Sequence, residues 1–355
     1  MTSLTCRIRR TAAVAVALAA GSALALTGNA SAQPGKANGK ASGSTVESAP
    51  LVKGLYQSAY SERNNVLWAT SAVGRPPVTT SSLLKVDPST LKVKASYTPP
   101  VTNAETGAVE AVYGIAVDDE HNTVWTTNTR DNSVAVYDQR TGKHLASLPG
   151  VNHAREVVVD AKHNTAWASS FGDGTVVAFD TRTFKEKKRV TVEGSSPTGL
   201  AVNARTGAAY AADLNGDRII EITRKSESPR LIPTGDGPIS VALSQDGRTA
   251  YTADQAAGGL SVVDLKKGTV TKSVPTGAGA LSVATDRRSG SVLVANRTPG
   301  NITVVDPVKG TVVETLATGA NPNHVQVTGG TAFVVDKSGS GPEGQDQAHR
   351  IRIGR

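Results

Sequence analysis

Few residues in this 355-residue sequence have the types and spacing that catalysis requires. His121 and His163 both stand in the short sequence His-Asn-Thr between apolar runs, which is typical of a turn. His144 falls in an outer turn and His349 near the degenerate C-terminal end, so His153 and His324 remain. A histidine near a carboxylate such as Glu156 can act in acid–base chemistry. No Ser-His-Asp arrangement, no metal-ligand spacing and no phosphate-binding glycine loop stand out. We therefore predict no catalytic residues and no cofactor.

Three carboxylates are candidates for binding a divalent cation, because hard cations prefer oxygen ligands. Asp213, Asp254 and Asp336 each close a similar four-residue sequence. Aspartate at such a position also accepts backbone hydrogen bonds and shapes turns. A residue that recurs along the chain suits a structural role better than a site that is needed once. We favour the turn role and predict no metal ligands.

The N-terminus has the pattern of an export signal. Residues 7–10 carry three arginines, residues 11–26 carry no charge and are apolar or small, and Ala30-Ser31-Ala32 resembles a cleavage site. The apolar run is short for a membrane-spanning helix, so an uncleaved anchor is the weaker alternative. We predict a signal peptide over residues 1–32, a flexible leader over residues 33–44, and a secreted, extracellular protein without a membrane span. General secretion is favoured over twin-arginine export.

The cysteine content and the net charge restrict the kinds of chemistry and of partner that the chain can have. The single cysteine, Cys6, falls inside the predicted signal peptide, so the mature chain has no disulfide and no thiol nucleophile. The formal net charge of +8 becomes about +5 once the three arginines of the signal are removed. This charge permits a polyanion such as nucleic acid or an anionic cell-wall polymer but does not require one. The basic clusters have few aromatic neighbours, which argues against stacking on single strands.

An internal repeat organises the chain after residue 45. An apolar strand recurs about every 42 residues, with longer intervals where insertions stand near residues 105 and 340. The strand ends at Asp87, Asp138, Asp180, Thr223, Asp264, Asp306 and Gly354. A second repeated position holds a large residue in every unit, namely Trp68, Trp125, Trp167, Tyr210, Tyr251, Leu293 and Phe333. We expect these large side chains to fill the space between neighbouring units.

The units predict an all-β fold. Each contains four short strand-like runs separated by Gly, Asn and Asp, and the central runs are apolar on both faces. Strands that are buried on both faces occur where sheets stack around an axis. Seven units of four antiparallel strands therefore predict a seven-bladed β-propeller over residues 45–355. The last unit ends at its third strand, so we expect residues 44–48 to supply the missing outer strand and close the ring.

Several tetrads resemble those of a known propeller family. Trp125-Thr126-Thr127-Asn128, residues 210–213, residues 251–254 and residues 293–296 are similar to the Tyr-Val-Thr-Asn tetrad of YVTN repeats. The whole resembles a YncE-like, YVTN-repeat propeller, a fold related to WD40 repeats. Related propellers include binding and surface proteins, cofactor-dependent dehydrogenase subunits, lactonases and a streptogramin lyase. The resemblance thus implies the fold and does not select a function.

Matching positions around the ring point to a candidate site. In a propeller, the inner strands begin at one mouth of the central channel, where ligands commonly bind. At this level four consecutive blades carry large polar side chains, while the other three carry small or apolar ones. The candidates are Tyr56, Gln57, Tyr113, Arg155, Glu156, Asn323 and His324. Convergent polar groups in a concavity predict ligand binding.

Two classes of function remain. The first is a non-catalytic, monomeric scaffold that binds an extracellular ligand, a cell-surface polymer or a protein through the channel mouth. The alternative is a metal-dependent lactonase or lyase that uses the polar side of the mouth. Nucleic acid is a less favoured partner, suggested by charge alone.

Overall fold

The computed structural model describes residues 43–226 and 228–354. The predicted signal peptide and all but the last two residues of the predicted leader lie outside them. Strands account for nearly all regular structure, and the described part contains one short 3-10 helix, Ala161–His163. No helix in it is long and apolar enough to cross a membrane.

Most of the strands follow one another in groups of four. The first half of the chain contains β1 (Thr45–Pro50), β2 (Leu55–Ser61), β3 (Val66–Val73), β4 (Thr80–Val86), β5 (Val93–Tyr97), β6 (Val101–Asn103), β7 (Ala108–Val109), β8 (Val112–Asp118), β9 (Thr123–Asn128), β10 (Ser133–Asp138), β11 (His144–Pro149), β12 (Ala154–Asp160), β13 (Thr165–Ser170), β14 (Thr175–Asp180) and β15 (Glu186–Thr191). The second half contains β16 (Pro197–Asn203), β17 (Ala208–Asp213), β18 (Arg218–Ile222), β19 (Arg230–Pro233), β20 (Pro238–Leu243), β21 (Thr249–Asp254), β22 (Gly259–Asp264), β23 (Thr269–Pro275), β24 (Ala280–Thr285), β25 (Val292–Asn296), β26 (Asn301–Asp306), β27 (Thr311–Ala317), β28 (Pro322–Thr328), β29 (Thr331–Asp336) and β30 (Gln347–Arg352).

These strands form seven four-stranded antiparallel sheets, the blades of a β-propeller. The inner strands of blades one to seven are β2, β8, β12, β16, β20, β24 and β28. Each inner strand lies against the inner strand of the next blade, and β28 lies against β2, so the ring is closed. The two-stranded sheet β6–β7 is the insertion that lengthens the interval between blades one and two.

The large repeated residues pack between blades, as the sequence predicted. Trp68 of blade one is fully buried against Val124 and Ala135 of blade two. The same relation recurs around the ring, and Phe333 of blade seven packs against Leu67 of blade one. Strands such as β9 and β13 are buried at every residue because a neighbouring blade covers each face.

The N-terminal strand closes the ring. Strand β1 pairs with β30 in antiparallel register from Thr45 opposite Arg352 to Pro50 opposite Gln347. Blade seven thereby gains the outer strand that its own sequence lacks, as predicted. With β1 in place, both edges of β30 are paired. An unpaired edge of β30 would be open to pairing with another chain.

Candidate functional site

The seven residues predicted from the sequence all line one cavity of about 640 Å³. This cavity opens where the inner strands begin, at the mouth of the central channel. Its volume lies in the range of roughly 300–1,000 Å³ that small-molecule sites occupy. Each of the three other blades contributes small or apolar side chains at the same level, for example Thr198 and Ile239.

A β-bulge at the start of each inner strand sets the direction of these side chains. In β2, Leu55 pairs with Ser71 but Ser58 pairs with Ala69, so β2 has one extra residue there. The same register shift occurs at the start of all six other inner strands. Bulges re-aim side chains and are common next to functional sites. The predicted positions fall at the bulges, which explains why they face the channel mouth.

Hydroxyl groups of the tetrads hold the bulged segments of the first three blades. The Gly114 amide donates to Thr127 Oγ1 at 2.8 Å, and Thr127 Oγ1 in turn donates to the Arg155 carbonyl at 3.0 Å. Ser169 Oγ makes the equivalent pair of bonds, from the Glu156 amide and to the Thr198 carbonyl. Each hydroxyl therefore satisfies an amide freed by the bulge and fixes the next blade.

Two of the predicted side chains also join neighbouring blades. Asn323 Nδ2 donates to the Tyr56 carbonyl at 2.6 Å. His324 Nδ1 accepts a hydrogen bond from the Ser58 amide at 3.4 Å. Burial lowers the pKa of His324 to about 4, so its ring is neutral at pH 7 and free to accept this bond. These two residues have a structural role in addition to lining the cavity.

Gln57 and Glu156 meet across the second blade. Gln57 Nε2 donates to Glu156 Oε2 at 2.8 Å, and Gln57 Oε1 accepts from the Ile115 amide at 3.1 Å. Gly114 permits this approach, because a Cβ there would lie 3.4 Å from Gln57 Oε1 and 2.6 Å from the Arg155 carbonyl oxygen. Burial raises the pKa of Glu156 to about 7, although the bond from Gln57 and the charge of Arg155 act in the opposite direction.

Arg155 has the most unusual surroundings in the cavity. Its guanidinium lies 5.6 Å from the centroid of the Phe171 ring. No hydrogen bond or ion pair joins its side chain to another described residue. Burial lowers the pKa of Arg155, while the nearby Glu156 and Tyr56 raise it. Five guanidinium N–H groups are thus available to a ligand in the cavity.

Tyr56 and Tyr113 form the aromatic wall. Their rings meet edge to face with centroids 4.3 Å apart, and the buried Ala72, Val78 and Ala111 pack behind them. Burial raises the pKa of Tyr56, and the neighbouring Tyr113 raises it further, so the phenol stays protonated at neutral pH. Aromatic pairs of this geometry are rigid contact surfaces.

The sequence-based prediction missed three cations of the same cavity: Arg130, Arg297 and Lys337. Lys337 Nζ donates to the Leu55 carbonyl at 2.9 Å and lies 3.6 Å from the centroid of the Tyr56 ring. Burial lowers the pKa of Lys337 to about 8. Arg297 and Lys337 directly follow the fourth residue of their tetrads, so a comparison of that position around the ring would have found them.

The carboxylates considered for a metal each bond to their own blade. Asp213 accepts from Arg218 Nε at 2.8 Å and from the Ser196 amide at 2.6 Å. Asp254 accepts from Ser261 Oγ at 2.6 Å, and Asp336 accepts from the Gln347 amide at 2.7 Å. In the described part of the chain, no three His, Cys, Asp or Glu side chains are grouped so that they could hold a metal ion. These contacts match the turn-shaping role.

Replacing Glu156 by glutamine is expected to stabilise the fold in a pH-dependent way. An unfolded glutamate ionises near pH 4, whereas folded Glu156 ionises near pH 7, so the wild type loses stability as pH rises between these values. Glutamine can keep the bond to Gln57 without the buried charge. We expect E156Q to match the wild type at pH 4 and to exceed it by on the order of 2 kcal/mol at pH 8.

Thermal unfolding from pH 4 to pH 9 measures this difference. Glu105→Gln makes the same chemical change at an exposed loop residue and serves as the control. A gain in Tm for E156Q that is the same at every pH would contradict the assignment of a raised pKa to Glu156.

Comparisons with known proteins agree with this fold. No protein-family model matches the chain. The YncE protein of Escherichia coli O157:H7 is 26% identical over 234 residues, which cover 61% of this chain and 64% of that protein. YncE of Salmonella typhi is 26% identical over 236 residues with the same coverage. The chain therefore aligns with about 64% of the length of these curated relatives.

Two solved structures share the architecture. Virginiamycin B lyase from Staphylococcus aureus superposes with a TM-score of 0.70 at 12% identity, covering 87% of this chain and 99% of that chain. Hydrazine synthase of Kuenenia stuttgartiensis superposes with a TM-score of 0.66 at 15% identity, covering 81% of this chain and 93% of that chain. At these identities the likeness concerns the fold alone.

Proposed function

We propose that this chain, a YncE-like seven-bladed β-propeller, is a non-catalytic binding protein that holds a small polar molecule in its channel mouth. The unpartnered guanidinium of Arg155 is the observation that carries the proposal. A partly buried cation without a hydrogen-bonding partner costs free energy, and a bound ligand would offset that cost. We further propose that the protein acts outside the cell after removal of residues 1–32, as its N-terminal sequence suggests.

The surroundings of the site support binding over catalysis. Asn323 and His324 are engaged in bonds between blades, and the Gln57–Glu156 pair is hydrogen-bonded internally. Such groups hold a geometry and are poorly placed to exchange protons with a substrate. The closed ring also fixes the cavity, and a preformed site loses little entropy when a ligand binds.

A lyase or lactonase is the second candidate. The observation in its favour is Glu156, whose pKa of about 7 would suit a general acid or base at neutral pH. The similarity in fold to virginiamycin B lyase is compatible with this candidate but supplies no matching residues. For a metal-dependent version, Asp213, Asp254 and Asp336 would have to exchange or share the hydrogen bonds that each accepts within its own blade.

A screen of the secreted form, residues 33–355, tests the proposal. The protein would be scanned by thermal shift against small acids, neutral sugars and amines, with and without Mg²⁺, Ca²⁺ or Zn²⁺. We expect at least one compound to raise Tm saturably in the wild type and not in R155A, without being consumed. Saturable binding that is equally strong in R155A would refute the location of the site, and turnover of the compound would favour the enzyme.

A further inference from the structure

The charges around the cavity are strongly unbalanced. Four cationic side chains line it, namely Arg130, Arg155, Arg297 and Lys337. The carboxylate among the lining residues is Glu156, and its raised pKa leaves it partly protonated at neutral pH. The cavity therefore carries a clear positive charge without a contribution from His324, whose pKa burial lowers to about 4; burial and the neighbouring Arg155 and Arg130 also lower the pKa of His153, the other histidine of the lining.

The three arginines among these cations make no direct bond to a described protein carboxylate. For Arg130, Arg155 and Arg297, no side-chain hydrogen bond or ion pair to another described residue exists. Elsewhere on the described surface, arginines commonly have such partners, as Arg218 has Asp213 and Arg230 has Glu221. Guanidinium groups left unpaired inside a concavity are available for bidentate bonds to carboxylate or phosphate oxygens.

All four cations line the same cavity as Tyr56 and act on this tyrosine. Arg130, Arg155 and Arg297 all lie close enough to Tyr56 to lower the pKa of its phenol, although burial and Tyr113 outweigh them. Lys337 lies over the ring of the same tyrosine. These groups come from blades two, three, six and seven, so the closed ring brings together charges that are far apart in sequence. An anion beside Tyr56 would be within electrostatic reach of all four.

We infer that the channel mouth binds a small anion with two or more negative charges, such as a di- or tricarboxylate or a phosphate ester. This inference rests on the proposed binding function and names the class of ligand. The cavity of about 640 Å³ suits a small molecule. Four cations in the lining of one cavity match more than one negative charge, and the protonated Tyr56 hydroxyl adds a neutral donor.

Isothermal titration with citrate and with inorganic pyrophosphate tests the inference. Glucose serves as the neutral probe, and all titrations use the protein of residues 33–355 at constant ionic strength. We expect at least one of the two anions to bind the wild type, and we expect glucose to show no binding. Affinity is expected to fall at least about tenfold in R155A and, independently, in R297Q. Arg248→Gln removes an exposed arginine outside the cavity and should leave affinity unchanged.

The outcomes separate the inference from the proposed function. If neither anion binds, or both bind R155A and R297Q as tightly as the wild type, the inference is wrong. If a neutral compound from the screen binds in a way that depends on Arg155 while neither anion binds, the proposed binding function is supported and the anionic ligand class is wrong. If a single-stranded oligonucleotide competes with pyrophosphate and binds more tightly, with a steep salt dependence, the ligand is a polymer and not a small anion.

Discussion

A chain that begins at Leu51 is expected to unfold at least about 10 °C below a chain that begins at Gly43. The two differ by β1, which is the outer strand of blade seven. Its loss removes the pairing of six residues with β30 and uncovers two apolar clusters, since Val46 packs on one and Ala49 on the other. Because the ring is continuous, weakening blade seven also exposes its neighbours in blades six and one.

Polar contacts of the same strand and of the residue before it add to the effect. Ser48 Oγ lies 2.7 Å from Nδ1 of His349, a buried residue whose Nε2 lies 3.2 Å from Asp336 Oδ2. Ser44 Oγ donates to Glu314 Oε2 of blade six at 2.6 Å. Removing β1 and the residue before it therefore also removes the hydrogen bonds that Ser48 and Ser44 make to His349 and Glu314.

Circular dichroism melts and size-exclusion chromatography of the two chains measure the loss. The shorter chain should also self-associate, because β30 becomes an open edge. A synthetic peptide of residues 43–53 added in excess should restore Tm and the elution volume of the longer chain. The same peptide with Ser48 replaced by proline, which removes a backbone donor, should not. Equal melting temperatures for the two chains would show that β1 does not close the ring.

The repeat made the fold predictable from the sequence. A strand pattern that recurs about every 42 residues constrains every blade at once, so an error in one unit is corrected by the others. The large residue of the tetrad illustrates this, because Trp68, Tyr210 and Phe333 differ in type but occupy the same space between blades. Ring closure was predictable for a related reason, since a missing outer strand must be supplied by another segment.

The candidate site was predictable in position but not in detail. Comparing the start of each inner strand identified Arg155 and Tyr56, because equivalent positions of a symmetric ring face the same channel. The bond from Asn323 to the Tyr56 carbonyl depends on bulges and on distances between blades, which a repeat pattern does not specify. Arg297 and Lys337 were missed because the fourth residue of the tetrad was compared around the ring and the next residue was not.

Replacing Trp125 by alanine is expected to cost about 3–5 kcal/mol of unfolding free energy. Its side chain is fully buried between blades two and three. The ring centroid lies 6.4 Å from that of Phe179 and 5.7 Å from that of Phe184, and Nε1 donates to Thr123 Oγ1 at 3.0 Å. Alanine would leave a cavity that the flanking sheets cannot collapse, because each is held on its other side by a further blade.

Urea unfolding of W125A, W125F and the wild type at 25 °C measures this cost. W125F should lose less, since a phenyl ring keeps most of the apolar contact. Val308→Ala, at a residue that is 81% exposed, is the control and should change stability by less than about 0.5 kcal/mol. A loss below about 1 kcal/mol in W125A would mean that the blades can close over the gap. In that case the large residues at the repeated position would not set the spacing between neighbouring blades. The channel mouth could then not be treated as rigid on the basis of this packing.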